Sequence, residues 1–231
     1  MTDNSKDEFI EIARIKEEFI ANASHELKTP IASVRLAAES ALTSLERDDG
    51  MTKSFLEQIL RDSDRMNELI SDLLDLSAME SSDVFMETFD LHDVIANEIS
   101  YLSKQNKKRI SYKKKKVEIN ANFDDISLAV KNLIKNALKY SPPEENILIQ
   151  IEENDKSVRC SFQDFGSGIS KSDQEKIFER FYRVDKGRSR KVGGTGLGLA
   201  IVKHALDRNN AVIEIVSELD HGSIFTIVFE K

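Results

Sequence analysis

What the chain has little of narrows the field first. One cysteine in 231 residues excludes an internal disulfide framework and fits a reducing compartment. Three prolines and nine glycines leave few chain breakers, so a many-turned all-β sandwich does not suit it. No apolar run approaches the ~18–20 residues needed to span a bilayer, and the opening MTDNSKDEFIEIARIKEEF is too charged for a signal peptide. Positive charge is not in excess. The formal net charge is −8, which argues against nonspecific binding to nucleic acid or an anionic membrane. What is present, 40% hydrophobic and 32% charged residues, is a globular composition with room for one large domain or two small ones.

The few breakers are unevenly placed. Gly50 is alone in the first 165 residues, and the other glycines fall at 166, 168, 187, 193, 194, 196, 198 and 222. Residues 5–46 read as one helix, with Ile20, Leu27, Ile31, Val34, Leu42 and Leu45 near helical spacing. Glu46–Gly50 supplies a turn. Residues 53–80 read as a second helix, with Phe55, Ile59, Met66, Leu69, Leu73 and Leu76 forming a heptad-like stripe in which Asp62 takes the missing place. Two long antiparallel helices do not bury their apolar faces alone. Dimerisation into a four-helix bundle solves this economically; a monomeric hairpin packed on the second half of the chain is the alternative.

Composition changes after Ser81-Ser82-Asp83, a candidate linker. A helix is expected over 91–105, capped by Asp90 with Asp93. Residues 108–120 are strand-like and very basic. A helix spans 125–140 and stops at Ser141-Pro142-Pro143. Alternation predicts strands around Ile147–Ile151 and Val158–Phe162, a helix over 197–209, and strands over 211–217 and 223–229. The second half is therefore α+β, mostly antiparallel, with helices on one face.

Two segments gather the glycines: Asp164-Phe165-Gly166-Ser167-Gly168-Ile169, and Gly193-Gly194-Thr195-Gly196-Leu197-Gly198-Leu199 opening a helix. Glycine backbone before a helix N-terminus suits phosphate, because free N–H groups and the helix dipole converge there. Tight turns without a ligand are the plainer reading. A P-loop pattern is missing, and the spacing is GxGxG late in the chain rather than the GxGxxG of a dinucleotide fold. Asp164-Phe165-Gly166 is not the DFG of a Ser/Thr/Tyr kinase, since the glycine-rich loop follows it and no HRD loop exists. Between the clusters, Phe178–Asp185 and the basic stretch Lys186–Lys191 read as an aromatic anchor and a lid over a polyphosphate, or as a solvated loop. Asn132 and Asn136 share a helix face, with Lys139 and Tyr140 a turn later. Amide oxygens of this kind suit Mg²⁺ shared with phosphate, although such a pair is also common surface decoration.

His25 lies in Ser24-His25-Glu26-Leu27-Lys28-Thr29-Pro30 and points away from the apolar seam. An accessible imidazole near neutrality is largely a free-base nucleophile. Glu26 is placed to orient the ring or to take its proton. Pro30 removes a backbone bond to the Glu26 carbonyl and is expected to bend the helix. An ordinary surface histidine is the bland alternative. No cluster has zinc-ligand spacing.

HELKTP at 25–30, NLIKNALKYSP at 132–142, DFGSGI at 164–169, FERFYR at 178–183 and GGTGLGLAIVKH at 193–204 resemble, in order and spacing, the H, N, G1, F and G2 boxes of bacterial sensor histidine kinases. The resemblance covers nearly the whole chain. It implies a helical hairpin at 1–82 that forms a dimeric four-helix bundle for dimerisation and phosphotransfer, and at 83–231 an α+β two-layer sandwich of the GHKL type that binds ATP.

It implies that His25 is phosphorylated and passes phosphate to an aspartate of a response regulator, and that Glu26 handles the proton. Thr29 holds a water for dephosphorylating the regulator. Asn136 with Asn132 binds Mg²⁺, and Lys139 and Tyr140 contact the nucleotide. Asp164 accepts from the adenine amino group, with Gly166, Gly168 and Ile169 beside the base. Gly194, Thr195, Gly196, Leu197, Gly198 and Leu199 shape the lid base and the phosphate-binding helix end.

Phe165 departs from the family, which commonly has a small or polar residue there. The basic run Lys107–Arg109 and Lys113–Lys116 is no part of the pattern and reads as a charge-protected edge strand, not a DNA site. The family normally carries an input domain, often with membrane spans, before the H box, so the chain is expected to be the catalytic core of a longer protein.

Overall fold

The computed structural model describes residues 4–47, 50–184 and 194–231. Two compact units are distinguished: Met1–Ser71 with Gly193–Thr195, and Asp72–Val192 with Gly196–Lys231.

The first unit is a hairpin of α1 (Asn4–Arg47) and the greater part of α2 (Thr52–Ser81). Helix α1 runs unbroken through Pro30, whose ring is buried. Among the described side chains of α1, the other buried positions are small: Ala23, Ala37, Ala41 and Ser44. On α2 Phe55, Ile59 and Met66 are partly covered and Leu69 is buried, and Gln58 donates to Ser33 Oγ of α1 at 3.0 Å. The large apolar residues of α1 (Ile20, Ile31, Leu42 and Leu45) lie instead on an exposed face, and α2 carries a matching exposed row of Leu56, Leu60, Ile70 and Leu74. Each helix thus has two stripes, not the single one expected. Large apolar residues left exposed in a row along each helix mark an interaction face.

In the second unit β1 (Glu87–Asp90) pairs antiparallel with β3 (Glu118–Ala121). A separate five-stranded sheet has the order β2-β4-β5-β7-β6, from β2 (Ile110–Tyr112), β4 (Ile147–Glu153), β5 (Ser157–Asp164), β6 (Ala211–Glu218) and β7 (Gly222–Glu230). Only β2 with β4 is parallel. Alternation along β5 turns Val158, Cys160 and Phe162 inward, and β4 contributes Ile147, Ile149 and Ile151. Burying a side chain the size of Phe162 contributes about 2–3 kcal/mol. Helices α3 (Leu91–Ser100), α5 (Phe123–Tyr140) and α6 (Gly198–Arg208), with the short α4 (Lys104–Lys108), complete a two-layer sandwich. Helix α5 buries Ile126, Ala129, Val130, Leu133, Ile134 and Ala137 along one stripe, and α6 buries Ile201, Val202, Ala205 and Leu206.

Caps fix where these helices start. Asn122 accepts from Asp125 N at 2.9 Å to open α5. Asp90 accepts from His92 N at 3.0 Å and from Val117 N at 3.1 Å, joining the α3 start to the chain before β3. Helix α3 ends at Ser100, not at 105, because Tyr101 and Leu102 turn back on its last carbonyls. The basic stretch also differs from the expectation of one strand: β2 is three residues long, and 113–117 leaves the sheet before β3. Arg109 is not an edge charge. Its guanidinium donates to the carbonyls of Leu138, Ser141, Pro142 and Glu145 and ties down the end of α5. Among the described residues no helix is long and apolar enough to cross a membrane.

Candidate active site

In the hairpin His25 is exposed on α1. Thr29 donates its hydroxyl proton to the His25 carbonyl at 3.3 Å, so its oxygen stays near the histidine on the same face. Glu26 is turned to the hairpin interior, where Arg65 of α2 donates to its carboxylate at 3.2 Å. The two side chains are 29% and 19% exposed, so water screens this pair only in part. Arg65 went unnoticed in the sequence, because a lone arginine on a helix carries no signal until its partner is known.

In the second unit Asn132 and Asn136 sit half-buried on one face of α5. The Asn132 amide donates to Leu128 O at 2.9 Å, which leaves its Oδ1 as an acceptor. That oxygen is 3.0 Å from where a Cβ on Gly198 would stand. The first glycine of α6 therefore lets the helix N-terminus close on the asparagine, and any larger residue would push them apart. A neutral amide oxygen beside a helix N-terminus fits a hard cation shared with phosphate oxygens. Lys139 and Tyr140 close the same helix, with the Lys139 ammonium 5.5 Å from the Tyr140 ring centroid.

Asp164 ends β5 and is 4% exposed. Its Oδ1 accepts from Gly166 N at 2.9 Å. Burial pushes its carboxyl above the usual range, and hydrogen bonds from Gly166 and Ser223 partly oppose the rise. A Cβ at Gly166 would lie 2.5 Å from Tyr140 O, and one at Gly168, with φ at +67°, would lie 1.8 Å from Glu218 O. These two glycines are therefore required by close backbone approach.

The loop they form is laced on all sides. Phe165 N donates to Ser141 Oγ at 3.0 Å, and Ile169 N to Ser217 Oγ at 2.8 Å. Gln174 donates to Ile169 O at 3.0 Å and Ser217 O at 2.9 Å. Nothing in the local sequence marks Ser141, Gln174 or Ser217 for this role, their partners lying 24, 5 and 48 residues away.

Phe181 takes a left-handed φ of 65° and donates its N–H to Gly196 O at 2.9 Å. Gly196, at φ +76°, has no room for a side chain against the Phe181 backbone. Strain at a non-glycine residue of this kind is held by its surroundings and collects at functional sites. Leu197 is fully buried and Thr195 nearly so; Gly194 and Leu199 are partly exposed. The basic lid expected at Lys186–Lys191 lies outside the described residues, as do Gly187 and Gly193. Among the described residues no group of His, Cys, Asp or Glu is placed to hold a metal ion.

Two families match. Residues 15–82 match the His Kinase A (phospho-acceptor) domain, and residues 121–231 match the Histidine kinase-, DNA gyrase B-, and HSP90-like ATPase. The chain is 34% identical over 224 residues to the sensor-like histidine kinase SenX3 of Mycolicibacterium smegmatis, covering 92% of this chain and 56% of that protein. It is 35% identical over 227 residues to the phosphate regulon sensor protein PhoR of Pseudomonas aeruginosa, covering 95% and 51%. The chain thus spans about half the length of the curated relatives it matches. Its fold resembles that of histidine kinase ThkA, solved in complex with the response regulator protein TrrA, with a TM-score of 0.74 at 20% identity, covering 96% of this chain and 63% of that one.

Proposed function

Since this chain belongs to the bacterial sensor histidine kinases, as their two-domain catalytic core, we propose that it phosphorylates itself on His25 at the expense of ATP and passes the phosphate to an aspartate of a response regulator. The observation that carries this reading is an exposed imidazole on a phospho-acceptor helix in one chain with an ATPase-type fold. In that fold Gly198 lets a helix N-terminus close on the Asn132 amide oxygen, and the Asp164 carboxyl is buried at the end of β5. Residues 1–82 act as the dimerisation and phosphotransfer part, and 83–231 as the ATP-binding part.

A ring nitrogen of His25 attacks the γ-phosphorus while the bond to the bridging oxygen breaks, and ADP leaves with that electron pair. Glu26, held by Arg65, receives the ring proton. Asp164 takes the adenine amino group, and Gly166, Gly168 and Ile169 let the base approach. Lys139, Tyr140 and the segment Gly194–Leu199 line the phosphates. Asn136 and Asn132 supply amide oxygens to Mg²⁺, which neutralises phosphate charge when bound. Thr29, which back-bonds to His25, holds a water for regulator dephosphorylation, so a phosphatase activity belongs to this reading. The exposed apolar rows of α1 and α2 are covered by a second copy of the hairpin in a four-helix bundle. The work is done where ATP is, in the cytoplasm, on a portion free or tethered to a membrane.

The test is incubation with γ-labelled Mg-ATP. Acid-labile, alkali-stable label on the chain, absent in His25→Gln, supports the reading. ATP turnover without label on the protein would favour a plain ATPase.

A further inference from the structure

The parallel ladder between β2 and β4 ends at Tyr112↔Ile149, yet β4 runs on to Glu153 and stays paired with β5 to Val158. Ile147 N donates to Arg109 O at 2.7 Å on the β2 side. By the two-residue period of a strand, the main chain of Ile149, Ile151 and Glu153 faces that side too. Beyond Ile149 no strand of the sheet lies there. The chain that leaves β2 instead carries Lys113–Lys116 past the gap, and an open groove of about 410 Å³ is lined by Lys113, Lys114, Lys115, Gln150, Ile151 and Glu152. Lys113, Lys114 and Lys116 are exposed, and among the described residues none of these lysines is in an ion pair. Four consecutive lysines in a chain of net charge −8 are a local exception to its charge. They lie on the far side of the sheet order from β6 and β7, the strands that hold the loop after Asp164.

We propose that this edge is a docking site for an extended acidic peptide segment of a partner protein. The segment adds to β4 along Gln150–Glu153 through main-chain hydrogen bonds, and its carboxylates pair with Lys113–Lys116. Charge selects the occupant. The lysines repel a lysine-bearing edge and gain nothing from a neutral one, which protects against indiscriminate sheet extension, and they attract one with acidic residues on alternate positions. The site is separate from the kinase reading above and does not depend on it.

The test uses the full chain and a synthetic peptide of alternating glutamate and valine with blocked ends, about ten residues long to match a strand. Binding is followed by fluorescence anisotropy, with amide shifts of residues 150–153 read by NMR. The expected result is saturable binding that shifts Ile151 and Glu153 and weakens about tenfold or more in K113E/K114E/K115E and on raising salt to physiological strength. Binding is also lost when the peptide backbone is N-methylated on alternate residues. K113Q/K114Q/K115Q, which adds no new charge, should weaken it to an intermediate degree, and circular dichroism checks that both variants are folded. No binding overturns the proposal. So does binding indifferent to N-methylation, or tighter binding to duplex DNA or to phosphatidylserine vesicles than to the peptide.

Discussion

Asp164→Asn changes one atom and one charge at a site where both are measurable. The carboxylate is 4% exposed, and its Oδ1 already accepts the Gly166 N–H at 2.9 Å. An asparagine here must turn its carbonyl oxygen to that N–H, since two donors cannot face each other. Its NH₂ then occupies the remaining position, the one proposed for the adenine amino group. A charge-assisted hydrogen bond is lost and a donor meets a donor. With such bonds contributing about 1.5–3 kcal/mol, ATP-analogue affinity should fall about 10–100-fold by calorimetric titration. A guanine or hypoxanthine nucleotide, which offers an acceptor at that position, should lose far less.

Stability should move the other way. Burial raises the Asp164 carboxyl above its unfolded value, so the folded state disfavours the charged form. This group's contribution therefore declines as pH rises from the unfolded value through the raised folded one, and then levels off. Removing the charge should leave the melting temperature at neutral pH unchanged or higher. Unaltered ATP affinity in a folded D164N would refute the placement of the base. Lost affinity together with a large drop in melting temperature would show that the effect is structural.

Gly168→Ala should destabilise by more than about 2 kcal/mol, because left-handed strain of about 1–2 kcal/mol adds to a Cβ only 1.8 Å from Glu218 O. Gly50→Ala, at φ +74° with nothing within 4 Å, should cost only the strain of about 1–2 kcal/mol, and denaturant unfolding compares the two. Arg208→Ala leaves the Asp125 carboxylate, 4% exposed and 2.9 Å from the guanidinium, without its cation and with only the Asn209 amide as side-chain donor, and frees the carbonyls of Met79 and Ser82. A loss of about 3 kcal/mol follows, and Arg208→Lys should not restore it, having one point charge in place of the fork. L60E/L74E puts charge on the exposed row of α2 and should give monomers in sedimentation, against the dimers expected of the unchanged chain.

Much of this was legible in the sequence for physical reasons that can be named. Helix α5 shows its span and its stop at Ser141-Pro142-Pro143 in the local pattern, and the glycines at 166, 168, 196 and 198 mark backbone that admits no side chain. Local pattern does not say which stripe of a helix meets which partner. The leucines of α1 read as a hairpin seam, whereas Ala23, Ala37 and Ala41 are the buried positions and Leu42 and Leu45 are exposed. Nor does it show long-range pairing. Arg65 with Glu26, Ser217 with Ile169, and Arg109 with the end of α5 are contacts between distant segments that only the fold brings together. The run Lys113–Lys116 looked like strand by composition, but it leaves the sheet, and β4 is left with one edge open.

The most direct test is to locate the phosphate. After incubation with Mg-ATP, electron-transfer mass spectrometry at neutral pH on the peptide containing Ser24–Thr29 should place one phosphate on the His25 ring, and it should disappear on adding acid or in His25→Gln. Phosphate on Ser24 or Thr29, or a peptide that stays unmodified while ATP is consumed, would contradict the account.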